Sequence, residues 1–99
     1  MGYKVGLTDA AQNDLAEVVR FLAGKSPEAA ERVGNELLDA ALALAILPRR
    51  GAPVRRRPGL RKLSHRYYLI FYQVNEAAQW VEVVRIWDGR KDPASLQLP

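Results

Sequence analysis

The sequence contains no cysteine, and it has no apolar run long enough to cross a bilayer. Without cysteine, disulfide scaffolds, thiolate metal sites and a cysteine nucleophile are excluded, and a reducing compartment is permitted. The longest apolar run, residues 37–47, is shorter than the ~20 residues of a membrane-spanning helix, and Asp39 interrupts it. The first ten residues lack the basic and apolar regions of a secretory signal. We therefore expect a cytoplasmic protein.

Residues that hold metals and cofactors are also scarce. His65 is the single histidine, so a zinc site would depend mainly on carboxylates, and none has the spacing of a ligand set. There is no glycine-rich phosphate loop, and no serine lies in a nucleophile-elbow context. The sequence therefore predicts neither a metal nor a cofactor.

Basic residues, in contrast, are abundant within one segment. Residues 48–66, "PRRGAPVRRRPGLRKLSHR", contain eight Lys or Arg in nineteen positions and no acid. The whole chain has fifteen basic and eleven acidic residues, so the other eighty residues carry seven basic against eleven acidic. This local excess indicates a surface directed at a partner, which could be nucleic acid, an acidic protein or a membrane surface. A solvated loop without a partner is the alternative.

The N-terminal third predicts a strand followed by a helix. Residues 2–7 alternate apolar Tyr3, Val5 and Leu7 with Lys4 and Gly6, which is the period of a half-buried strand. Asp9 and Gln12 then have the spacing of a capping box, and apolar residues recur at helical spacing until Gly24.

A second helix is predicted directly afterwards. Ser26 is a good N-cap, Pro27 suits the first helical position, and the helix must end before Pro48. Its leucine-rich end is apolar around most of its circumference, so it is either sandwiched between its neighbours or partly covered by another chain. The predicted buried stripe consists of Ala30, Val33, Leu37, Ala41 and Leu44.

Three strands are predicted from residue 60 onward, in residues 60–64, 67–74 and 79–87, with residues 75–78 as a hairpin connection. Strict alternation in the last strand would put Arg85 and Trp87 on the same face as Val81 and Val83, and Trp80, Glu82, Val84 and Ile86 on the other. The order β-α-α-β-β-β predicts one α+β domain, residues 1–99, with a helical hairpin packed on one face of a sheet.

Several residues could carry chemistry. His65 is suited to proton transfer and has Arg61 and Lys62 nearby, although a solvated histidine is the commoner case. Arg85 either extends its head from a partly covered face or points into a cleft. The tyrosines of the neighbouring strand, Tyr67, Tyr68 and Tyr72, could stack on bases but are more often core residues.

The element order and three segments resemble the ParE/RelE superfamily, the toxins of bacterial type II toxin-antitoxin systems. These segments are "LTDAAQNDLAEVVRFLA", "GLRKLSHRYYLIFYQV" and the ending "VEVVRIWDGRKDP". The ending keeps the arginine, the glycine and the basic pair that are usual in the family, and Asp88 stands where histidine is usual. The resemblance implies a single RelE-like domain over nearly the whole chain, with a three-stranded antiparallel meander after the helices.

The superfamily contains two activities. RelE-like members cleave messenger RNA on the ribosome, whereas ParE-like members poison DNA gyrase. Leu69 occupies the position of a catalytic arginine in RelE-like toxins, and the tail "DPASLQLP" lacks their tyrosine or histidine. An apolar side chain cannot stabilise a phosphorane, and loss of an acid-base group lowers the rate by about a hundredfold to ten-thousandfold. The resemblance therefore favours a gyrase inhibitor that is not itself an enzyme, of the kind associated with plasmid stabilisation.

Two alternatives remain open at this stage. One is a ribosome-dependent messenger-RNA endonuclease that uses Arg61, Lys62, His65 and Lys91. The other is an inactive homologue that only binds its antitoxin.

The resemblance also implies partners and their binding residues. We expect a heteromeric complex with an adjacently encoded acidic antitoxin, contact with DNA gyrase, at most secondary contact with nucleic acid, and no membrane partner. The expected target-binding residues are Arg85, Trp87, Arg90 and Lys91. The expected antitoxin-binding residues are Arg55, Arg56, Arg57, Leu38 and Leu42.

Overall fold

The computed structural model describes residues 2–98, and the fold is α+β as predicted. The helices are α1 (Asp9–Ala23) and α2 (Pro27–Leu42), and the strands are β1 (Lys4–Leu7), β2 (Ala52–Pro53), β3 (Leu60–His65), β4 (Tyr68–Asn75) and β5 (Trp80–Asp88). Short 3₁₀ turns follow α2 at Ala43–Ala45 and β5 at Pro93–Ser95. Within the described residues, neither helix has both the length and the apolar character needed to span a membrane.

The five strands form one sheet in the order β1-β5-β4-β3-β2. Strands β3, β4 and β5 make the predicted antiparallel meander, and β1 lies parallel to β5. Strand β2 was not predicted, because two residues are too few to show a period. It pairs with β3 through Ala52–Lys62 and Pro53–Arg61, so part of the basic segment is a sheet edge and not a free loop.

The N-cap of α1 is Thr8, and the predicted Asp9–Gln12 capping box is wrong. The Thr8 hydroxyl accepts from the amide of Ala11 at 3.1 Å and donates to the carbonyl of Val84 at 3.0 Å, so the sheet holds this residue at the cap. Gln12 donates its side-chain amide to the carbonyl of Leu7 instead. Ser26 caps α2 as predicted, accepting from the amide of Ala29 at 3.2 Å, with Pro27 at the first position.

The main core lies between the helical hairpin and the sheet. The predicted stripe of α2 is confirmed, since its five residues are all buried, and Leu37 is fully so. Tyr68 and Tyr72 are core residues facing the helices, and the Tyr72 hydroxyl accepts from the amide of Gly51 at 2.8 Å. Leu37→Ala would lower the free energy of unfolding by about 2–5 kcal/mol, because it removes buried apolar groups and leaves a cavity.

The opposite face of the sheet carries a smaller apolar cluster. Leu60, Phe71 and Val84 are buried there, and Leu96 and Leu98 of the C-terminal tail pack against them. The tail therefore covers this face, just as the helices cover the other.

A β-bulge interrupts the pairing of β4 with β5. Tyr72 pairs with Val83 and Phe71 pairs with Arg85, so Val84 is the extra residue. Beyond the bulge the faces exchange: Trp87 lies on the face away from the helices, Ile86 points towards them, and the Arg85 side chain reaches Asp14 of α1 at the edge of the sheet. Val84 lies on the face opposite Val83 as predicted, but the predicted alternation of β5 is wrong after Val84, because strict alternation assumes a regular ladder.

Candidate functional site at the end of the fifth strand

A cleft of about 480 Å³ lies between α1 and the C-terminal half of β5. It exists because β1 pairs only with residues 80–83 of β5, so within residues 2–98 no strand neighbours the outer edge of β5 from Val84 onward. Asp14 and Val18 line the helical side, and Trp87 and Lys91 line the side of the strand end. Three of the four predicted target-binding residues, Arg85, Trp87 and Lys91, line this cleft, and Arg90 follows in the adjoining turn.

Arg85 is held tightly by Asp14 and the tail. Its Nε and Nη2 donate to the two Asp14 carboxylate oxygens at 2.7 and 3.0 Å, and its Nη1 donates to the carbonyl of Gln97 at 3.0 Å. Asp14 also accepts from the amide of Ile86 at 2.9 Å, which satisfies the open edge of β5. The hydrogen bonds that Arg85 donates to Asp14 raise the pKa of Arg85 above its usual range. The sequence left two possibilities for Arg85, an exposed head on a partly covered face or a side chain that points into a cleft. The second is observed, and the side chain links α1 to the tail.

Arg90 is held by its own turn and by a tyrosine. Its Nε and Nη2 donate to the Asp88 carboxylate at 3.0 and 2.8 Å, and its guanidinium carbon lies 3.7 Å from the ring centroid of Tyr67. The Arg90 side chain holds the pKa of Asp88 below its usual range. The amide of Gly89 donates to the carbonyl of Tyr67 at 2.8 Å, which joins this turn to the β3–β4 turn.

Lys91 and Trp87 complete this end of the molecule. The Lys91 ammonium lies 5.9 Å from the Trp87 ring centroid, and no carboxylate in residues 2–98 forms a salt bridge with it. Trp87 packs beside Leu69 on the face covered by the tail. The structure thus gathers the four predicted target-binding residues at one end, but it neutralises Arg85 and Arg90 internally.

The four residues of the alternative nuclease set are not assembled into one site. Arg61 and His65 occupy the face of β3 that points to the helices, Lys62 lies on the other face, and Lys91 lines the cleft beside α1. Arg61 donates to the carbonyl of Gly51 at 2.7 Å. Burial raises the pKa of Tyr68, which lies between these elements, to about 12, so its phenol is a poor acid-base group near neutral pH.

His65 is part of an ion-paired cluster with α2. Its Nε2 lies 2.8 Å from Glu36 Oε1, and Arg66 donates to both Glu36 oxygens at 2.8 and 3.1 Å. The hydrogen bonds from Arg66, and then from His65, lower the pKa of Glu36 to about 2. Sequence reasoning missed Glu36, Asp14 and the ring contact of Tyr67, because a lone carboxylate or tyrosine carries no pattern that names its partner.

The predicted antitoxin-binding residues of α2 form part of an exposed apolar stripe. Leu38 and Leu42 are 37% and 47% exposed, and the stripe continues at Ile46 and Leu47, which are 73% and 59% exposed. The leucine-rich end of α2 is therefore only partly covered by its own chain.

The predicted basic antitoxin-binding residues, Arg55, Arg56 and Arg57, are exposed in the β2–β3 loop. This loop joins β3 at Leu60, at one end of the strand. The Arg90 turn follows β5 at Asp88, which pairs with Tyr68, and Tyr68 pairs with His65 at the other end of β3. Leu60 and His65 are five residues apart, so the loop and the turn are separated by roughly 17 Å. Elsewhere in the basic segment, Arg49 pairs with Glu76. The two cationic surfaces thus lie at opposite ends of the sheet.

Metal ligands are not clustered in the part of the chain that the structure describes. No group of three or more histidine, aspartate or glutamate side chains there has the geometry to hold a metal ion.

Comparison with known proteins identifies the family. The family model described as "ParE toxin of type II toxin-antitoxin system, parDE" matches residues 5–93. No curated protein sequence is significantly similar.

Solved structures share the fold. The RelBE2 toxin-antitoxin complex from Mycobacterium tuberculosis includes a chain with 25% identity and a TM-score of 0.67, over 87% of this chain and 96% of that one. A chain of the chromosomal ParDE system from P. aeruginosa has 19% identity and a TM-score of 0.71, over 85% and 92%. A chain of the E. coli RelBE complex has 18% identity and a TM-score of 0.61, over 90% and 99%. The family match covers most of the chain, and the chain therefore belongs to the ParE toxin family of type II toxin-antitoxin systems.

Proposed function

We propose that this toxin inhibits DNA gyrase by binding it through the end surface formed by Trp87, Arg90 and Lys91, and that a cognate antitoxin neutralises it. Family membership supports a toxin of a type II system, and the ParDE and RelBE neighbours are toxin-antitoxin systems. Both proposed partners belong to the bacterial cytoplasm, where we expect the protein to act.

The observation that carries the choice of gyrase is the separation of the acid-base residues. General acid-base catalysis needs its groups within hydrogen-bond reach of one substrate, about 2.6–3.2 Å. His65 is engaged by Glu36 of α2 and does not line the cleft beside α1, whereas Lys91 lines that cleft next to Trp87. Leu69 adds only an apolar side chain beside Trp87. A surface of this kind is suited to binding a protein rather than to cleaving RNA.

The end surface has the composition of a protein-binding site. Aromatic residues and arginine are enriched in interface hot spots, and here the Arg90 guanidinium lies over the Tyr67 ring and the Lys91 ammonium lies near the Trp87 ring. Arg90 is exposed beyond its internal contacts, with 54% of its side chain accessible.

The antitoxin is proposed to cover the other surface. An apolar surface for an antitoxin segment is formed by Leu38, Leu42, Ile46 and Leu47. The positive charges of the basic loop beyond β2 would attract an acidic segment and speed its association. Because this loop lies at the opposite end from Arg90, the antitoxin and the target would first meet different parts of the toxin.

A gyrase supercoiling assay with purified toxin tests the proposal. Charge reversal at the end surface, Arg90→Glu with Lys91→Glu, should abolish inhibition, whereas His65→Ala should retain it. The matched control is Lys25→Glu with Arg32→Glu, which changes the net charge equally at exposed positions of the helical hairpin. Inhibition that survives in the Arg90/Lys91 variant, or that is lost equally in the control, would refute the proposed surface.

The alternative activities give distinct results in cells that express the toxin. Gyrase inhibition predicts filamentation and DNA-damage signalling. Prompt arrest of translation with cleaved transcripts, abolished by His65→Ala, would instead establish the endonuclease. Absence of any growth defect without antitoxin would establish an inactive homologue.

A further inference from the structure

We propose that Tyr67 is a positioning residue, which holds the Arg90 guanidinium in the orientation that contacts the target. This inference rests on the proposed function, because it assigns a new residue to the same end surface. Tyr67 itself lies outside the C-terminal segment, at the β3–β4 turn.

The contact between the two side chains is close and well formed. The Arg90 guanidinium carbon is 3.7 Å from the Tyr67 ring centroid, well within the ~6 Å over which a cation is attracted to a ring face. Asp88 holds the same guanidinium in its plane through two hydrogen bonds. One carboxylate and one ring thus restrain a side chain that would otherwise sample many rotamers.

The position of Tyr67 is itself fixed by neighbouring elements. Arg66 has a φ of 56°, in the left-handed region, and its bidentate bonds to Glu36 tie this turn to α2. The Tyr67 carbonyl accepts from Gly89, where a Cβ atom would lie only 2.8 Å from that oxygen. The backbone of this turn is therefore held by α2 through Arg66 and by the C-terminal turn through the Tyr67 carbonyl.

The restraint leaves part of Arg90 available. Asp88 uses Nε and Nη2, Tyr67 covers one face, and no acceptor in the described residues pairs with Nη1. The free donor and the outer face suit a carboxylate or carbonyl oxygen of a protein target. A side chain that is already ordered loses less conformational freedom on binding, so the affinity for the target should be higher than with a mobile arginine.

Substitution of Tyr67 tests the inference. Tyr67→Leu should weaken gyrase inhibition by about threefold to tenfold, because the ring face is lost, and Tyr67→Phe should restore it because the face is kept. In a background of Arg90→Ala, Tyr67→Leu should have no further effect, since the residue that it positions is gone. NMR provides an independent readout: the Arg90 Hδ resonances should be shifted upfield in wild type and Tyr67→Phe, and not in Tyr67→Leu.

The outcomes separate this inference from the proposed function. If wild-type toxin inhibits gyrase and Tyr67→Leu inhibits it equally well, the positioning role is wrong. The role is also wrong if Tyr67→Leu weakens inhibition as much in the Arg90→Ala background as in wild type. If wild-type toxin leaves gyrase unaffected, the proposed target is wrong, and the same variants are compared by growth arrest in cells. Toxicity reduced by Tyr67→Leu and restored by Tyr67→Phe would then still support the positioning role, and equal toxicity of all variants would refute it.

Discussion

Replacement of Asp14 by alanine should destabilise the toxin far more than its position on a surface helix suggests. Asp14 accepts hydrogen bonds from Arg85 and from the amide of Ile86, and only 16% of its side chain is exposed. Asp14→Ala therefore leaves a guanidinium that is 21% exposed without its counter-charge and also an edge amide without its acceptor.

The magnitude follows from these two losses. Breaking a fully buried ion pair by removing one partner costs about 3–5 kcal/mol, and partial exposure reduces this figure. An unsatisfied amide at a partly buried edge adds about 1–3 kcal/mol when water cannot reach it. We expect the free energy of unfolding to fall by about 2–4 kcal/mol, measured by urea denaturation at pH 7.

Two further variants make the measurement decisive. Glu17→Ala breaks the exposed Glu17–Arg20 pair on the same helix, with side chains 73% and 69% exposed, and should cost no more than about 0.5 kcal/mol. Asp14→Ala combined with Arg85→Leu should be more stable than Asp14→Ala alone, because no buried charge is left unpaired. If Asp14→Ala costs no more than Glu17→Ala, the anchoring role of the Asp14–Arg85 pair is refuted.

Three other predictions concern other parts of the molecule. Because the pKa of Glu36 is lowered in the folded state to about 2, its ion pairs stabilise the fold above about pH 5 and are lost as pH falls towards 2. In Glu36→Gln, the urea concentration at the midpoint of unfolding should therefore fall less steeply between about pH 5 and pH 2 than in wild type. The same fall in both proteins would contradict this. Leu38→Asp with Leu42→Asp should abolish antitoxin binding in calorimetry while circular dichroism shows an intact fold, since both residues are exposed; unchanged affinity would exclude this face. Gly51→Ala should destabilise by about 1–3 kcal/mol in thermal unfolding, because its Cβ would lie 2.7 Å from the carbonyl of Lys62; a wild-type melting temperature would show that this strand edge can relax.

The candidate site was only partly predictable from the sequence. Trp87, Arg90 and Lys91 were recognised because they follow a strong strand pattern and match a family ending, and the structure does gather them. The partners that orient the arginines were not recognised. Asp14 and Arg85 are 71 residues apart, and Glu36 and Arg66 are 30 apart, so no local pattern links them.

By itself, the sequence determined the features that depend on neighbours within one or two turns of chain. The serine and proline that open α2, the stripe ending at Leu44 and the grouping of strands all arise from local capping and periodic burial. Only the tertiary structure decided the rest. Thr8 became the cap because its hydroxyl donates a hydrogen bond to the carbonyl of Val84, and the faces of β5 exchanged after Val84 because pairing with β4 inserted a bulge. Both outcomes depend on contacts between distant segments, whose free energy exists only after the chain has folded.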